Sequence, residues 1–163
     1  MVNVLDKVQP KNKTQLKSLI EYAFNHNIYD LNFIDTSEIT DMSNLFMNCE
    51  YDIDVSNWDV SNVTNMSGMF YNCENFNCDL SKWNVSNVTN TAGMFYFCKN
   101  FDCDLSRWNV SNVKYMYLMF HNCKKFNSDM SNWNVTKAKS TLNMFTGCDK
   151  MTIPDWYKNK LYI

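Results

Sequence analysis

FNCDLSKWNVSNVTNTAGMFYFC, residues 76–98, decides how the chain folds, because most of the chain consists of copies of it. Trp58, Trp83, Trp108 and Trp133 recur every 25 residues. Phe70, Phe95, Phe120 and Phe145 keep the same interval, as do Cys73, Cys98, Cys123 and Cys148. A fixed period between about 20 and 50 residues marks a solenoid, in which each repeat buries its apolar face against its neighbours.

Two periodicities alternate within one repeat. Phe76, Cys78 and Leu80 fall on every second position, with Asn77, Asp79 and Ser81 between them. That is the pattern of a half-buried strand. Residues 51–56, 101–106 and 126–131 repeat it, and Trp83-Asn84-Val85 reads as a second extended piece turned by Ser86-Asn87. Met66, Met69, Phe70 and Cys73 lie at i, i+3, i+4 and i+7, which predicts a two-turn helix capped by Thr64 or Asn65. One repeat is then strand, turn and helix. The expected fold class is an α/β solenoid, a leucine-rich-repeat-like right-handed stack of about five such coils with a parallel sheet on one side. Phe76, Cys78, Leu80, Trp83, Val85, Met69 and Phe70 should be buried, and Asn77, Asp79 and Ser81 exposed.

The 163 residues fit one domain. Residues 1–30 form an N-terminal helical cap, 31–150 five repeats of 24–25 residues, and 151–163 a C-terminal cap. Asn12 and Gln15 make a capping box. Leu16, Leu19, Ile20, Ala23 and Phe24 then share one helix face, and Asn25-His26-Asn27 ends it. The first repeat is degenerate: Ile39, Met42, Phe46 and Cys49 stand where Val63, Met66, Phe70 and Cys73 stand later, and Ile34 replaces the Trp. At the other end Pro154 suits a final edge, and Trp156, Tyr157, Leu161, Tyr162 and Ile163 are expected to fold over the last coil.

Composition excludes several classes. A net charge of −2 with no Lys/Arg run argues against nucleic acid. No apolar run reaches the roughly 20 residues that a membrane helix needs, so no membrane insertion is expected. Residues 1–6, MVNVLD, lack the order of a secretory signal, which places the chain in the cytoplasm on sequence alone. Seven cysteines, an odd number with one per repeat at their main position, read as buried thiols; a zinc quartet from Cys73, Cys78, Cys98 and Cys103 has an unusual spacing. Two histidines and three glycines leave no catalytic pair and no phosphate loop. No enzyme, metal or cofactor is expected, and a monomer is.

The chemical feature that remains is a ladder of acids. Asp54, Asp79, Asp104 and Asp129 share one repeat position, with Asp52, Asn77, Asp102 and Asn127 two residues earlier and Lys82 and Arg107 nearby. Carboxylates about 5 Å apart repel unless something screens them. Three readings stay open: bonds to backbone turns, a surface for a basic partner, and a calcium site. The candidate binding face is Asp54, Asp79, Asp104, Asp129, Asn77, Asp102, Lys82 and Arg107.

The recurring Trp-x-Val-Ser-x-Val, Met-Phe-x-x-Cys and Phe-x-x-Asp-Leu-Ser over about residues 31–156 resemble the repeat of BspA-like leucine-rich-repeat surface proteins, a group that contains a domain of unknown function common in bacterial lipoproteins. The resemblance weakens at Thr91, Thr141 and Ala138. It implies a non-catalytic module that binds a protein or glycan at a bacterial surface. The alternative is a cytoplasmic structural or regulatory repeat protein.

Overall fold

The computed structural model describes residues 7–160. The chain advances through its repeats by tight turns. In the repeat of residues 76–100 the N–H of Trp83 donates to Leu80, Val88 to Val85, Met94 to Thr91 and Cys98 to Phe95, each at 2.9–3.1 Å to the carbonyl three residues back. Such bonds close β-turns. Corners are reinforced by side chains: Asp79 Oδ1 accepts the N–H of Ser81, Asn84 Oδ1 that of Ser86, and Asn90 Oδ1 that of Ala92. The D-x-S and N-x-S spacings of the sequence are these corner bonds.

Successive repeats, here called tiers, sit in register. Met66, Gly68, Phe70 and Asn72 donate their N–H groups to the carbonyls of Asn90, Ala92, Met94 and Tyr96, and the same pattern recurs one tier later. We call this run of each tier its rung. Single parallel bridges link Asp41, Asn65, Asn90, Tyr115 and Ser140 in one line.

The expected α/β solenoid of strand–turn–helix coils is overturned. Among the described residues there are only isolated bridges and no sheet, and the two helices lie outside the repeats. The alternation at residues 76–81 is real in burial, but its backbone groups are satisfied by side chains. Leu80 N–H donates to Cys103 Sγ, and Asp102 N–H to Asn77 Oδ1. A strand ladder needs those groups for main-chain pairing. The Met66-to-Cys73 periodicity is likewise not helical. Gly68 and Asn72 have φ of 62° and 58°, a left-handed backbone that no α-helix admits. Consecutive turns, alternating in hand, reproduce the i, i+3, i+4, i+7 spacing. The leucine-rich-repeat geometry falls with the strand and the helix.

The interior is a set of columns. Phe46, Phe70, Phe95, Phe120 and Phe145 stack at 5.5–5.7 Å, with ring planes within 9° of parallel. Phe76, Phe101 and Phe126 form a second column beside them. Burying each ring contributes about 2–3 kcal/mol. Each Trp indole reaches back to a carbonyl of the preceding tier: Trp58 to Leu31, Trp83 to Val55, Trp108 to Leu80 and Trp133 to Leu105. The seven thiols are free. Those of Cys73, Cys98, Cys123 and Cys148 donate to the carbonyls of Phe46, Phe70, Phe95 and Phe120. Phe76, Cys78, Leu80, Trp83, Val85, Met69 and Phe70 are buried and Asn77 and Asp79 exposed, whereas Ser81 is half-buried rather than exposed.

Both ends are closed by helices. Helix α1, Lys13–Asn25, starts where Asn12 accepts the Gln15 N–H. Gln15 returns to the N–H of Lys11 rather than of Asn12, so the box is shifted by one residue. Beyond its C-cap His26 the left-handed Asn27 (φ 56°) closes the helix, with Asn27 N–H on the Phe24 carbonyl and Ile28 N–H on that of Ala23. Leu16, Ile20 and Ala23 are buried against the first tier. Helix α2, Asp155–Lys160, follows Pro154. Its Trp156 donates to the Met130 carbonyl, and Tyr157 packs edge-on against Phe145 at 5.1 Å. The expectations for Leu161, Tyr162 and Ile163, and for residues 1–6, fall outside the described residues.

Candidate functional site

The acidic face is built from two corner columns. Asp54, Asp79, Asp104 and Asp129 are all exposed, and each spends Oδ1 on the N–H of the Ser two residues on, at 2.9 Å. The next tier adds a second donor to three of them. Cys78 reaches Asp54 at 3.5 Å, Cys103 reaches Asp79 at 3.6 Å, and Ser128 Oγ reaches Asp104 at 3.0 Å. These thiols and the hydroxyl are two-way links, because they also accept the N–H of Val55, Leu80 and Leu105. Asn77 and Asp102 hold the N–H groups of Asp102 and Asn127.

All four aspartates of the ladder titrate below the ordinary carboxylate range. For Asp79, Asp104 and Asp129 the main cause is the hydrogen bonding from Ser81, Ser106 and Ser131. At Asp54 partial burial pushes upward, and the bonds from Ser56, Asn32 and Cys78 outweigh it. The carboxylates therefore stay ionised. Lys82 and Arg107 are exposed and near enough to favour the charge on Asp79 and Asp104, yet neither is in an ion pair among the described residues. Asp102, Asp104 and Asp129 line one shallow groove, and Asp52, Asp54 and Asp79 line the equivalent groove two tiers away. Among the described residues no group of acids, cysteines or histidines is arranged to hold a metal ion.

All eight residues proposed from sequence thus lie on one side of the tiers. Sequence reading missed the linking role of Cys78, Cys103 and Ser128. The signal was the replacement of Cys by Ser at that position, which keeps a group able to donate and accept. It also missed an aromatic column outside the core, Tyr71, Tyr96 and His121, stacked at 4.4 and 5.0 Å. Its signal was the residue after each column Phe. His121 and Cys123 do not meet as a catalytic pair: the imidazole stacks on Tyr96, and the thiol points inward to the Phe95 carbonyl. Burial pushes the Cys73, Cys78 and Cys148 thiols up to about 12 and Cys103 to about 11. Thiols held so high are poor nucleophiles.

Turn-built tiers with an ordered, exposed acidic face define a repeat protein. The family follows from comparison. A family model described as "Mycoplasma protein of unknown function, DUF285" matches residues 14–107 and 40–158, so the chain belongs to that family. This corrects the resemblance to BspA-like leucine-rich-repeat surface proteins, which the match does not support. No curated protein and no solved structure matches the chain. Among the described residues no helix is long and apolar enough to cross a membrane.

Proposed function

We propose that the chain is a non-catalytic recognition module that binds a cationic protein or glycan along its acidic face. One observation carries the reading. The corner bond that Asp79 makes to Ser81 is made one corner later by Asn84 to Ser86, and again by Asn109 to Ser111 and Asn134 to Thr136. Asparagine suffices for the turn. The position that reads Asp54, Asp79, Asp104 and Asp129 nevertheless carries a charge in every tier, at the cost of like-charge repulsion. That surplus charge is what a cationic partner would use, and the rigid stack holds it in place before binding.

The test is the double substitution Asp79→Asn with Asp104→Asn, which keeps both acceptor oxygens. Binding of a lysine- and arginine-rich decapeptide, followed by calorimetry, should weaken about tenfold and lose much of its salt dependence. Equal binding and equal salt dependence in the two proteins would overturn the proposal.

A further inference from the structure

Charge is segregated along the stack. Residues 105–160 hold nine of the 15 lysines and arginines but only three of the 17 acids. The early tiers are therefore acidic and the last two basic. Such a molecule is complementary to a neighbour that lays its opposite half alongside. End-to-end stacking is closed off, because α1 covers the first tier and α2 the last, where Trp156 and Tyr157 sit on Phe145. A side-by-side, antiparallel contact is the arrangement that sets acidic tiers against basic ones.

The rung face suits that contact in shape. From the first tier to the last, one of its columns reads Ser43, Ser67, Ala92, Tyr117 and Leu142. The first three side chains are small, and Ala92 is buried. The last two stand out: Tyr117 is 42% and Leu142 63% exposed, although α2 covers the end of the stack. In an antiparallel face-to-face pair the first rung meets the fifth and the second meets the fourth. Leu142 then falls over Ser43, and Tyr117 over Ser67. A parallel pair would set the bulky rungs on each other and leave the small ones facing a gap.

The rim that follows each rung has matching polarity. Glu50 is exposed at its first tier and Lys125 and Lys150 at its last two, and none of the three is in an ion pair among the described residues. The same two-fold operation lays Glu50 beside Lys150 of the second copy. On the other rim Glu38 and Asp41 are already paired with Lys11 and Lys13.

We propose that the rung face is a self-association surface, on which a second copy of this chain docks antiparallel about a two-fold axis near Tyr96. This departs from the monomer expected on sequence. Each copy contributes the same patch, so the contact closes on itself at a dimer. Size grading fixes the direction of the pair, and the rim charges reinforce it.

Sedimentation equilibrium tests the proposal. At about 100 μM and low salt the chain should weigh as a dimer, and added salt should shift it towards monomer. Leu142→Asp should weaken association about a hundredfold, with the melting temperature unchanged at a dilution where the native chain is monomeric. Glu50→Lys and Lys150→Glu should each weaken it about tenfold, because each reversal acts twice in a symmetric pair. An equimolar mixture of those two variants should recover dimers, since opposite charges then meet at both contacts. The acidic-face double variant should dimerise as the native chain does, which separates this proposal from the previous one. A monomer at about 1 mM, growth beyond a dimer, indifference to Leu142→Asp, or no recovery on mixing would overturn it. Weaker dimers in the acidic-face variant would overturn it too, assigning the contact to that face.

Discussion

The Phe95 column and the Asp79 column are copied at the same interval but obey different rules. Inside, Phe46, Phe70, Phe95, Phe120 and Phe145 never change, because the surroundings of each ring are another such ring. Outside, the position of Asn77 alternates between Asp and Asn, and Ser128 replaces Cys103 without loss of either bond. A packed column constrains shape, whereas a hydrogen-bonded column constrains only donors and acceptors. Against that tolerance, the unvarying charge of Asp54, Asp79, Asp104 and Asp129 stands out as something the fold does not require.

The difference can be broken most forcefully at its centre. Phe95→Ala removes a ring stacked on Phe70, Phe101 and Phe120 and should cost about 3–5 kcal/mol in chemical unfolding. A cost below about 1 kcal/mol would mean that the column is not packed as described.

A finer cut compares two cysteines. Cys103→Ser recreates the arrangement that Ser128 already adopts and should change stability by less than about 0.5 kcal/mol. Cys123→Ser puts a shorter, more polar group where the thiol is fully buried on the Phe95 carbonyl, and should cost about 1–2 kcal/mol. Equal costs would erase the distinction between the inner and outer columns.

The smallest effect is electrostatic. The ladder aspartates have folded-state pKa values below their unfolded ones, so their contribution is present above about pH 4 and fades as the pH falls through the folded range. Buried thiols run the other way. Desolvation raises Cys73, Cys78 and Cys148 to about 12, so their contribution is complete below about pH 8.5 and declines as the pH rises from there. Melting temperature against pH should show both shoulders. The acid-face double variant should flatten only the acidic one.

Much of this was legible in the chain. The period, the tier register and the buried set around Phe76, Leu80 and Trp83 follow from spacing alone. The secondary structure inside a tier did not, because burial alternation does not report where backbone hydrogens go. Asn77, Asp79 and Cys103 take bonds that a sheet would have used. The left-handed backbone was signalled at Gly68, Gly93 and Asn72, but Phe97 and Leu118 occupy the same conformation with no such cue. The acidic face was recoverable as a set of residues. That its charge exceeds the need of the turn became visible only once Asn84 was seen making the same bond.

The tryptophan bonds all point one way along the chain. Trp83 reaches Val55, Trp108 reaches Leu80, Trp133 reaches Leu105 and Trp156 reaches Met130, in each case a carbonyl already made. Cys98 and Cys123 do the same with Phe70 and Phe95. A chain leaving the ribosome with α1 first can therefore fasten the indole and thiol of each new tier to carbonyls already made, while the rung N–H groups of that tier are taken up by the tier that follows. Its order of synthesis is also a workable order of assembly.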